Sequence, residues 1–148
     1  LLLFRKYYEM SGKIAICEIP EDLKERLKKF RFAKTTTMCA LIIKIDREKQ
    51  AMVIEEDMED TTLDEVRDEL PQQQPRYVLL SYEKAHADGR KSYPMCMVFY
   101  SPPGCNPEQQ MLYAGSRNSL ALASELTKNM EIREQDELSQ EYLDSKVL

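Results

Sequence analysis

Residues 76–83 constrain the fold of this chain most, because Arg-Tyr-Val-Leu-Leu-Ser-Tyr-Glu is the strongest strand pattern in the sequence. The pair Asp88-Gly89 follows it, and Asp-Gly strongly favours a tight hairpin turn. Residues 92–100 supply a returning strand, and Pro94 places the beginning of that strand at an edge or a bulge. The middle of the chain is therefore predicted to form two strands joined through a hairpin.

Before this segment the sequence predicts a helix, two strands and a second helix. The first helix starts at Pro20, and its apolar residues recur at spacings of four and three, namely Leu23, Leu27 and Phe30. Residues 38–45 and 51–55 are apolar runs separated by the polar turn 46–49, which predicts a strand pair. Thr61 or Thr62 can cap a helix that Pro71 ends.

After residue 100 the pattern becomes mainly helical. Pro107 opens a long helix, and its apolar or small groups lie mostly on one side, namely Met111, Leu112, Gly115, Leu122, Leu126 and Met130. Residues 131–133 suit a short strand and residues 136–148 a terminal helix. Together these elements predict an α+β fold with a central mixed β-sheet flanked by helices.

Composition and charge restrict the class of protein. The chain has 148 residues, 43% of them apolar and 32% charged, as in a soluble globular domain. Its net charge of -5 disfavours non-specific binding of nucleic acid.

Residues 1–10 contain no membrane span or signal-peptide layout, and Met10 resembles an initiator. We expect residues 1–10 to be an upstream extension and residues 11–148 to be a single domain.

No pattern of catalytic or metal-binding residues is present. The four cysteines form no CxxC pair and His86 is the sole histidine, so we expect buried, reduced cysteines, a cytoplasmic location and no metal or cofactor. The acidic residues between positions 55 and 60 lack the spacing and the central glycine of a calcium loop, which predicts a solvated loop. An enzyme is therefore not expected.

A longer motif resembles a known family. It runs from Ser92-Tyr93-Pro94 through residues 100–116, Tyr-Ser-Pro-Pro-Gly-Cys-Asn-Pro-Glu-Gln-Gln-Met-Leu-Tyr-Ala-Gly-Ser. This stretch closely resembles the glia maturation factors, a branch of the actin-depolymerising factor homology family. The likeness extends from residue 11 to about residue 143 and includes Phe30-Arg31-Phe32 and Asp88-Gly89-Arg90.

The resemblance implies the actin-depolymerising factor homology fold and a monomer that works by binding. It implies that the protein binds the actin-related protein 2/3 complex, promotes debranching of actin filaments and inhibits branch nucleation. The expected location is the cytoplasm, at the actin-rich cortex and in lamellipodia, with no membrane or nucleic-acid partner.

One departure from the wider family concerns actin itself. Cofilin-like relatives carry lysines just before the Met-Leu-Tyr-Ala segment, where this chain has Glu108, Gln109 and Gln110. Because an acidic residue repels an acidic actin surface, weak or no direct actin binding is expected.

The resemblance also implies two partner-binding surfaces. The first combines the N-terminal tail with the long helix and comprises Ser11, Lys13, Glu108, Gln109, Gln110, Met111, Arg117 and Asn118. The second is the hairpin tip, with Asp88, Gly89, Arg90 and Lys91, although an Asp-Gly turn is most often only a turn. Phosphorylation at Ser11 would add negative charge to the first surface and regulate it. The cations Lys28, Lys29, Arg31 and Lys34 are more simply attributed to the dipole of the first helix.

Three alternatives remain open. A cofilin-like protein would sever or depolymerise actin filaments directly, which Glu108 and Gln110 disfavour. An enzyme would need a nucleophile and base, or a set of metal ligands, that the sequence does not supply. A secreted factor would be expected to carry a signal peptide.

Overall fold

A computed structural model describes residues 17–34 and 36–146. The predicted extension at residues 1–10 lies outside this range, as do the predicted site residues Ser11 and Lys13.

Most of the described chain is built around one five-stranded sheet. Its strands are β1 (Cys39–Asp46), β2 (Ala51–Met58), β3 (Arg76–Ser81), β6 (Met95–Tyr100) and β7 (Asn129–Ile132), in the order β2-β1-β3-β6-β7. Strands β6 and β7 run parallel and the other neighbours antiparallel, so the predicted mixed sheet is confirmed. The short strands β4 (Lys84–Ala85) and β5 (Lys91–Ser92) form a separate hairpin between β3 and β6.

Helices cover both faces of the sheet. They are α1 (Glu21–Phe32), α2 (Leu63–Glu69), α3 (Pro107–Ser124) and α4 (Gln140–Lys146), with a 3-10 turn at Gln135–Glu137. Helices α1 and α3 share one core cluster, and α2 and α4 share the other. Successive β1 residues alternate between the clusters, because adjacent side chains of a strand point to opposite faces. The α+β prediction is confirmed.

Strand β3 lies at the centre of this arrangement. All six of its residues are buried, and it pairs with β6 from Arg76 opposite Tyr100 to Ser81 opposite Met95. The two strands predicted from residues 76–83 and 92–100 are therefore confirmed, and β4 and β5 extend beyond them as a projecting hairpin.

Polar side chains fix where helices α2 and α3 begin. The Asn106 side chain accepts a hydrogen bond from the Glu108 amide at 2.8 Å, and Pro107 follows it as the first helical residue. The Thr62 hydroxyl accepts from the Glu65 amide at 3.2 Å, which settles the choice between Thr61 and Thr62. Pro20 precedes α1 at the cap position instead of lying within its first turn.

The apolar side predicted for α3 is only partly buried. Leu112 packs against the core and Leu126 is buried, whereas Met111, Gly115 and Leu122 are exposed. The buried residues of the helix itself are Tyr113, Ser116, Leu120 and Ser124. Both sets recur at helical spacing, so periodicity alone does not decide which set faces the sheet. The long helix ends at Ser124 because Glu125 adopts a left-handed conformation with φ 57°, and Met130 belongs to β7.

The prediction of a solvated acidic loop is also wrong for three of its five acidic residues. Glu55, Glu56 and Asp57 belong to β2. The Arg76 guanidinium donates to both Glu55 carboxylate oxygens at 3.1 Å, and Arg26 donates to Asp57 at 2.7 and 2.9 Å. Because basic partners neutralise these carboxylates, the acidic run continues as a strand.

Candidate partner-binding surface

The inner side of α3 is held to the sheet by buried hydrogen bonds. The Ile45 amide donates to the Tyr113 hydroxyl at 2.9 Å, and the Tyr77 hydroxyl donates to the Tyr113 carbonyl. One turn further along α3, the Ser116 hydroxyl oxygen accepts a hydrogen bond from the Cys17 amide at 3.2 Å. Burial raises the pKa of both Tyr77 and Tyr113, so each keeps its proton at neutral pH. These contacts fix the position of the helix.

The outer side of α3 forms a stripe of small and apolar residues. Met111 is 46% exposed, which is unusual for a methionine at helical spacing. One and two turns further on, Ala114, Gly115 and Asn118 are also exposed. The small residues leave room for another surface to approach the helix backbone. Ala114 and Gly115 were not predicted as site residues, although their spacing from Met111 could have indicated them.

The first turn of α3 carries the predicted acidic and amide residues. Glu108 is exposed, and its carboxylate lies 3.5 Å from the Arg47 guanidinium of the β1–β2 turn. Gln109 and Gln110 are half-buried, and the Gln110 amide donates to the Ser101 hydroxyl at 3.3 Å. Glu108 is therefore the most accessible of the three.

Arg117 differs from its neighbours on the helix. Its guanidinium lies 5.4 Å from the centroid of the Phe99 ring and 3.5 Å from the Glu131 carboxylate on β7. A cation over an aromatic ring is attracted by the electrons of the ring face. Arg117 thus ties α3 to the sheet, whereas Asn118 on the same turn is exposed.

The tip of the β4–β5 hairpin is exposed, and its charges are paired within the hairpin. The Asp88 carboxylate accepts from the Arg90 amide at 3.1 Å and from its guanidinium at 2.7 Å, and these bonds lower the pKa of Asp88. Lys91 lies 3.0 Å from the Glu83 carboxylate, whose hydrogen bond raises the pKa of Lys91. Gly89 has φ 90°, a conformation that favours glycine.

The two predicted surfaces lie at opposite ends of β6. The hairpin precedes Met95, whereas α3 starts beyond Tyr100, at the end marked by the Gln110–Ser101 contact. Six strand residues separate these ends by roughly 17 Å. The structure thus brings the α3 residues together and keeps the hairpin residues Asp88, Gly89, Arg90 and Lys91 apart from them.

Across 17–34 and 36–146, no three His, Cys, Asp or Glu side chains converge closely enough to hold a metal ion. None of the helices in these ranges is both long and apolar enough to cross a membrane. The four cysteines are free thiols, and burial raises the pKa of Cys96 to about 12, so that thiol remains protonated at neutral pH.

Comparison with known proteins defines the class of protein. Residues 16–148 match the family of cofilin/tropomyosin-type actin-binding proteins. The chain is 50% identical to human glia maturation factor beta over 138 residues, which is 93% of this chain and 97% of the relative. It is 48% identical to Drosophila melanogaster glia maturation factor over 132 residues, which is 89% of this chain and 96% of the relative.

A solved structure agrees with these sequence matches. The solution structure of the Caenorhabditis elegans glia maturation factor superimposes with a TM-score of 0.76 and 53% identity, covering 88% of this chain and 95% of that one. The chain therefore belongs to the cofilin/tropomyosin-type actin-binding family and, within it, to the glia maturation factors. The family assignment made from the sequence is confirmed.

Proposed function

We propose that this protein binds the actin-related protein 2/3 complex, promotes release of daughter filaments at branch junctions and inhibits the nucleation of new branches. It acts without catalysis, in the cytoplasm at the actin-rich cortex and in lamellipodia. Its binding favours one conformation of the junction, and the free energy for release comes from the difference in affinity between conformations.

The observation that carries this proposal is the outer stripe of α3. Met111, Ala114, Gly115 and Asn118 are exposed on a helix whose inner side is fixed by Tyr77 and Tyr113. A surface that is already ordered loses little conformational entropy on binding. The stripe is shaped to enter a hydrophobic groove on an actin-related subunit, with Met111 as its apolar anchor.

The acidic first turn of α3 supports a preference for the complex over actin. Glu108 is exposed there, and Gln110 is already bonded to Ser101. This turn offers no cation to an acidic actin surface, so direct binding to actin is weak. A subunit with a less acidic groove would accept the same helix.

The hairpin supplies a second contact in this proposal. Its tip lies at the other end of β6 from the α3 stripe, so one molecule can touch two neighbouring subunits of a junction. The paired charges of Asp88 with Arg90 and of Glu83 with Lys91 hold the shape of the tip. We assign the hairpin a positioning role.

Ser11 would regulate the α3 surface through phosphorylation, and loss of affinity in Ser11→Glu is the expected result.

Branch lifetime on preformed branched actin filaments, followed by fluorescence microscopy, tests the proposal. The decisive variant is Met111→Glu with Asn118→Glu, because both residues are exposed and folding should be retained. Arg117 is a poorer choice, since it also binds the sheet. Thr127→Glu with Asn129→Glu is the matched control, because it adds the same charge at exposed positions beyond the opposite end of α3.

The protein and the control should shorten branch lifetime, whereas the Met111/Asn118 variant should not. Binding to the complex in solution should weaken by at least about 100-fold, as expected for loss of an anchor worth about 3 kcal/mol. Unchanged branches together with shortened bare filaments would overturn the proposal and favour the cofilin-like alternative.

A further inference from the structure

Two large apolar side chains are unusually exposed at the C-terminal ends of α1 and α3. Phe32, the last residue of α1, is 64% exposed, and Leu122, near the end of α3, is 78% exposed. Both exceed Met111 in exposure. Neither is needed for the core, since α1 packs through Leu23, Leu27 and Phe30.

A chain of contacts connects the ends of the two helices. The Arg31 guanidinium lies 4.5 Å from the centroid of the Phe32 ring and forms an ion pair with the Glu125 carboxylate. The Glu125 amide in turn donates to the Leu122 carbonyl at 3.3 Å. Phe32 and Leu122 therefore lie at two helix ends that one ion pair joins. We call the surface formed by Phe32, Arg31, Leu122 and Glu125 the helix-end patch.

Lysines border the helix-end patch on the α1 side. Lys28 and Lys29 lie one helical turn before Phe32, and Lys34 follows two residues after it. All three are exposed, and they form no ion pair within residues 17–34 and 36–146. The helix dipole accounts for cations near the end of α1, but it does not account for an exposed phenylalanine among them.

We propose that the helix-end patch binds an acidic, amphipathic segment of a protein partner. Apolar residues of the segment cover Phe32 and Leu122, and its carboxylates pair with Lys28, Lys29 and Lys34. Charge complementarity identifies this occupant, because the patch is locally cationic while the chain as a whole carries a net charge of -5.

The observations favour a protein segment over an anionic membrane. A membrane is wider than the patch and would also face carboxylates around it, such as exposed Glu25 one helical turn before Lys28 and Lys29. A narrow segment crosses the Arg31–Glu125 pair, whose carboxylate already has a cationic partner, and meets the three lysines.

This site is distinct from the α3 stripe of the proposed function. Leu122 lies 11 residues from Met111, about 17 Å along the helix. The inference therefore stands or fails independently of binding to the actin-related protein 2/3 complex.

Binding of a synthetic peptide to the full chain tests this inference. The probe is a fluorescent 16-residue peptide with Glu and Asp on one helical face and Leu and Phe at i, i+3, i+4 and i+7 on the other. Affinity is measured by fluorescence anisotropy at about 150 mM salt, an ionic strength that screens non-specific attraction. Amide chemical shifts of the isotope-labelled protein locate the contact.

Two variants disrupt the patch in different ways, and one serves as a control. Lys28→Glu with Lys29→Glu reverses the charge, and Phe32→Ser with Leu122→Ser removes the apolar anchors. Lys49→Glu with Arg133→Glu makes the same charge change at exposed positions away from the patch. Retained amide spectra establish that each variant is folded, which is expected because all six positions are exposed.

Each patch variant should weaken peptide binding at least tenfold, and the control should leave it within twofold. The largest shift changes should fall at Lys29, Phe32 and Leu122. A peptide with Ser in place of Leu and Phe, and a peptide with Lys in place of Glu and Asp, should both bind weakly.

Three results would overturn the inference. The first is that the acidic peptide shows no saturable binding with a dissociation constant below 1 mM, which corresponds to a binding free energy of about 4 kcal/mol. The second is binding that persists in both patch variants. The third is preferential binding of anionic phospholipid vesicles through Phe32 and Leu122, which would replace the protein segment by a membrane.

Discussion

Helix α3 and the β4–β5 hairpin are both proposed to contact a partner, but different forces hold them. The inner side of α3 is fixed by buried tyrosine hydrogen bonds and by Leu120, which is 0% exposed. The hairpin has two strands of two residues each, and it is held by the hydrogen bonds of its own turn and by exposed ion pairs. Because exposed ion pairs contribute little to stability, the hairpin should open locally far more easily than the helix detaches.

Two leucines on α3 test this comparison with the largest expected effect. Leu120→Ala should lower the free energy of unfolding by about 2–5 kcal/mol, because it leaves a cavity between the helix and the sheet. Leu122→Ala removes the same atoms from an exposed position, and the change should stay within about 0.5 kcal/mol. Urea denaturation followed by circular dichroism measures both. Equal losses in the two variants would mean that the helix is not held through its Leu120 side.

Two tyrosines extend the test to hydrogen bonds. Tyr113→Phe leaves the buried Ile45 amide without an acceptor and should cost about 1–3 kcal/mol. Tyr93→Phe, at the base of the hairpin, removes an exposed hydroxyl that donates to the Thr36 carbonyl at 2.5 Å, and it should cost less than about 0.5 kcal/mol. Chemical denaturation of both variants gives the two values. A larger loss for Tyr93 would reverse the comparison.

The sequence predicted the element types better than the direction each element faces. Strand β3, a threonine cap at Thr61 or Thr62 and the start of α3 at Pro107 follow from local patterns, whereas the Asn106 cap was not predicted. The outward direction of Met111 and Leu122 depends on how α3 rotates against the sheet. Contacts with distant residues set this rotation, such as Tyr113 with Ile45.

Charge pairs across the fold were equally hidden from the sequence. Glu55 and Arg76 are 21 positions apart, and no local pattern connects them. The residues of the α3 surface were found through the family resemblance, and their tertiary contacts emerge only in the fold. The pairing of Arg117 with Phe99 and Glu131 is one example.

Alkaline pH should act on buried tyrosines in both core clusters, and not on the exposed hairpin. Burial raises the pKa of Tyr77 and Tyr113, and it raises the pKa of Tyr82 to about 12, against about 10 in an unfolded chain. Above pH 10 the tyrosines of the unfolded chain lose their protons, while those of the folded chain keep them. The stabilisation is therefore complete below pH 10 and falls as the pH rises towards the pKa values of the folded protein. Cys96 adds to this effect from about pH 9, because burial raises the pKa of its thiol to about 12. Urea midpoints between pH 8 and 11 should therefore decline above about pH 9, and more steeply above pH 10.

A tyrosine variant tests the source of that decline. Tyr82→Phe removes one buried titrating hydroxyl, so its midpoint should fall less steeply with pH than that of the unsubstituted protein. Below pH 9 the difference between the two proteins should be constant. Parallel curves throughout the alkaline range would assign the decline to other groups.

Mild acid should act on the hairpin side, with the smallest expected effect. Hydrogen bonds from Arg90 lower the pKa of Asp88. The stabilisation from the Asp88 carboxylate is therefore present above about pH 3.9, which is the pKa of an unfolded Asp. It is lost as the pH falls through the lower pKa that Asp88 has in the folded protein. Amide chemical shifts of Gly89, Arg90 and Lys91 should titrate below pH 4, while urea midpoints change little because the contact is fully exposed.

Asp88→Asn isolates this contact, because the amide oxygen can still accept a hydrogen bond from the Arg90 backbone but carries no charge. The hairpin titration below pH 4 should disappear in this variant and persist in Asp68→Asn, which removes an exposed carboxylate on α2. Amide hydrogen exchange at Arg90 should be faster in Asp88→Asn, whereas exchange at Leu120 should be unchanged. If Leu120 also exchanged faster, the hairpin and the helix would open as one unit, and the contrast between them would not hold.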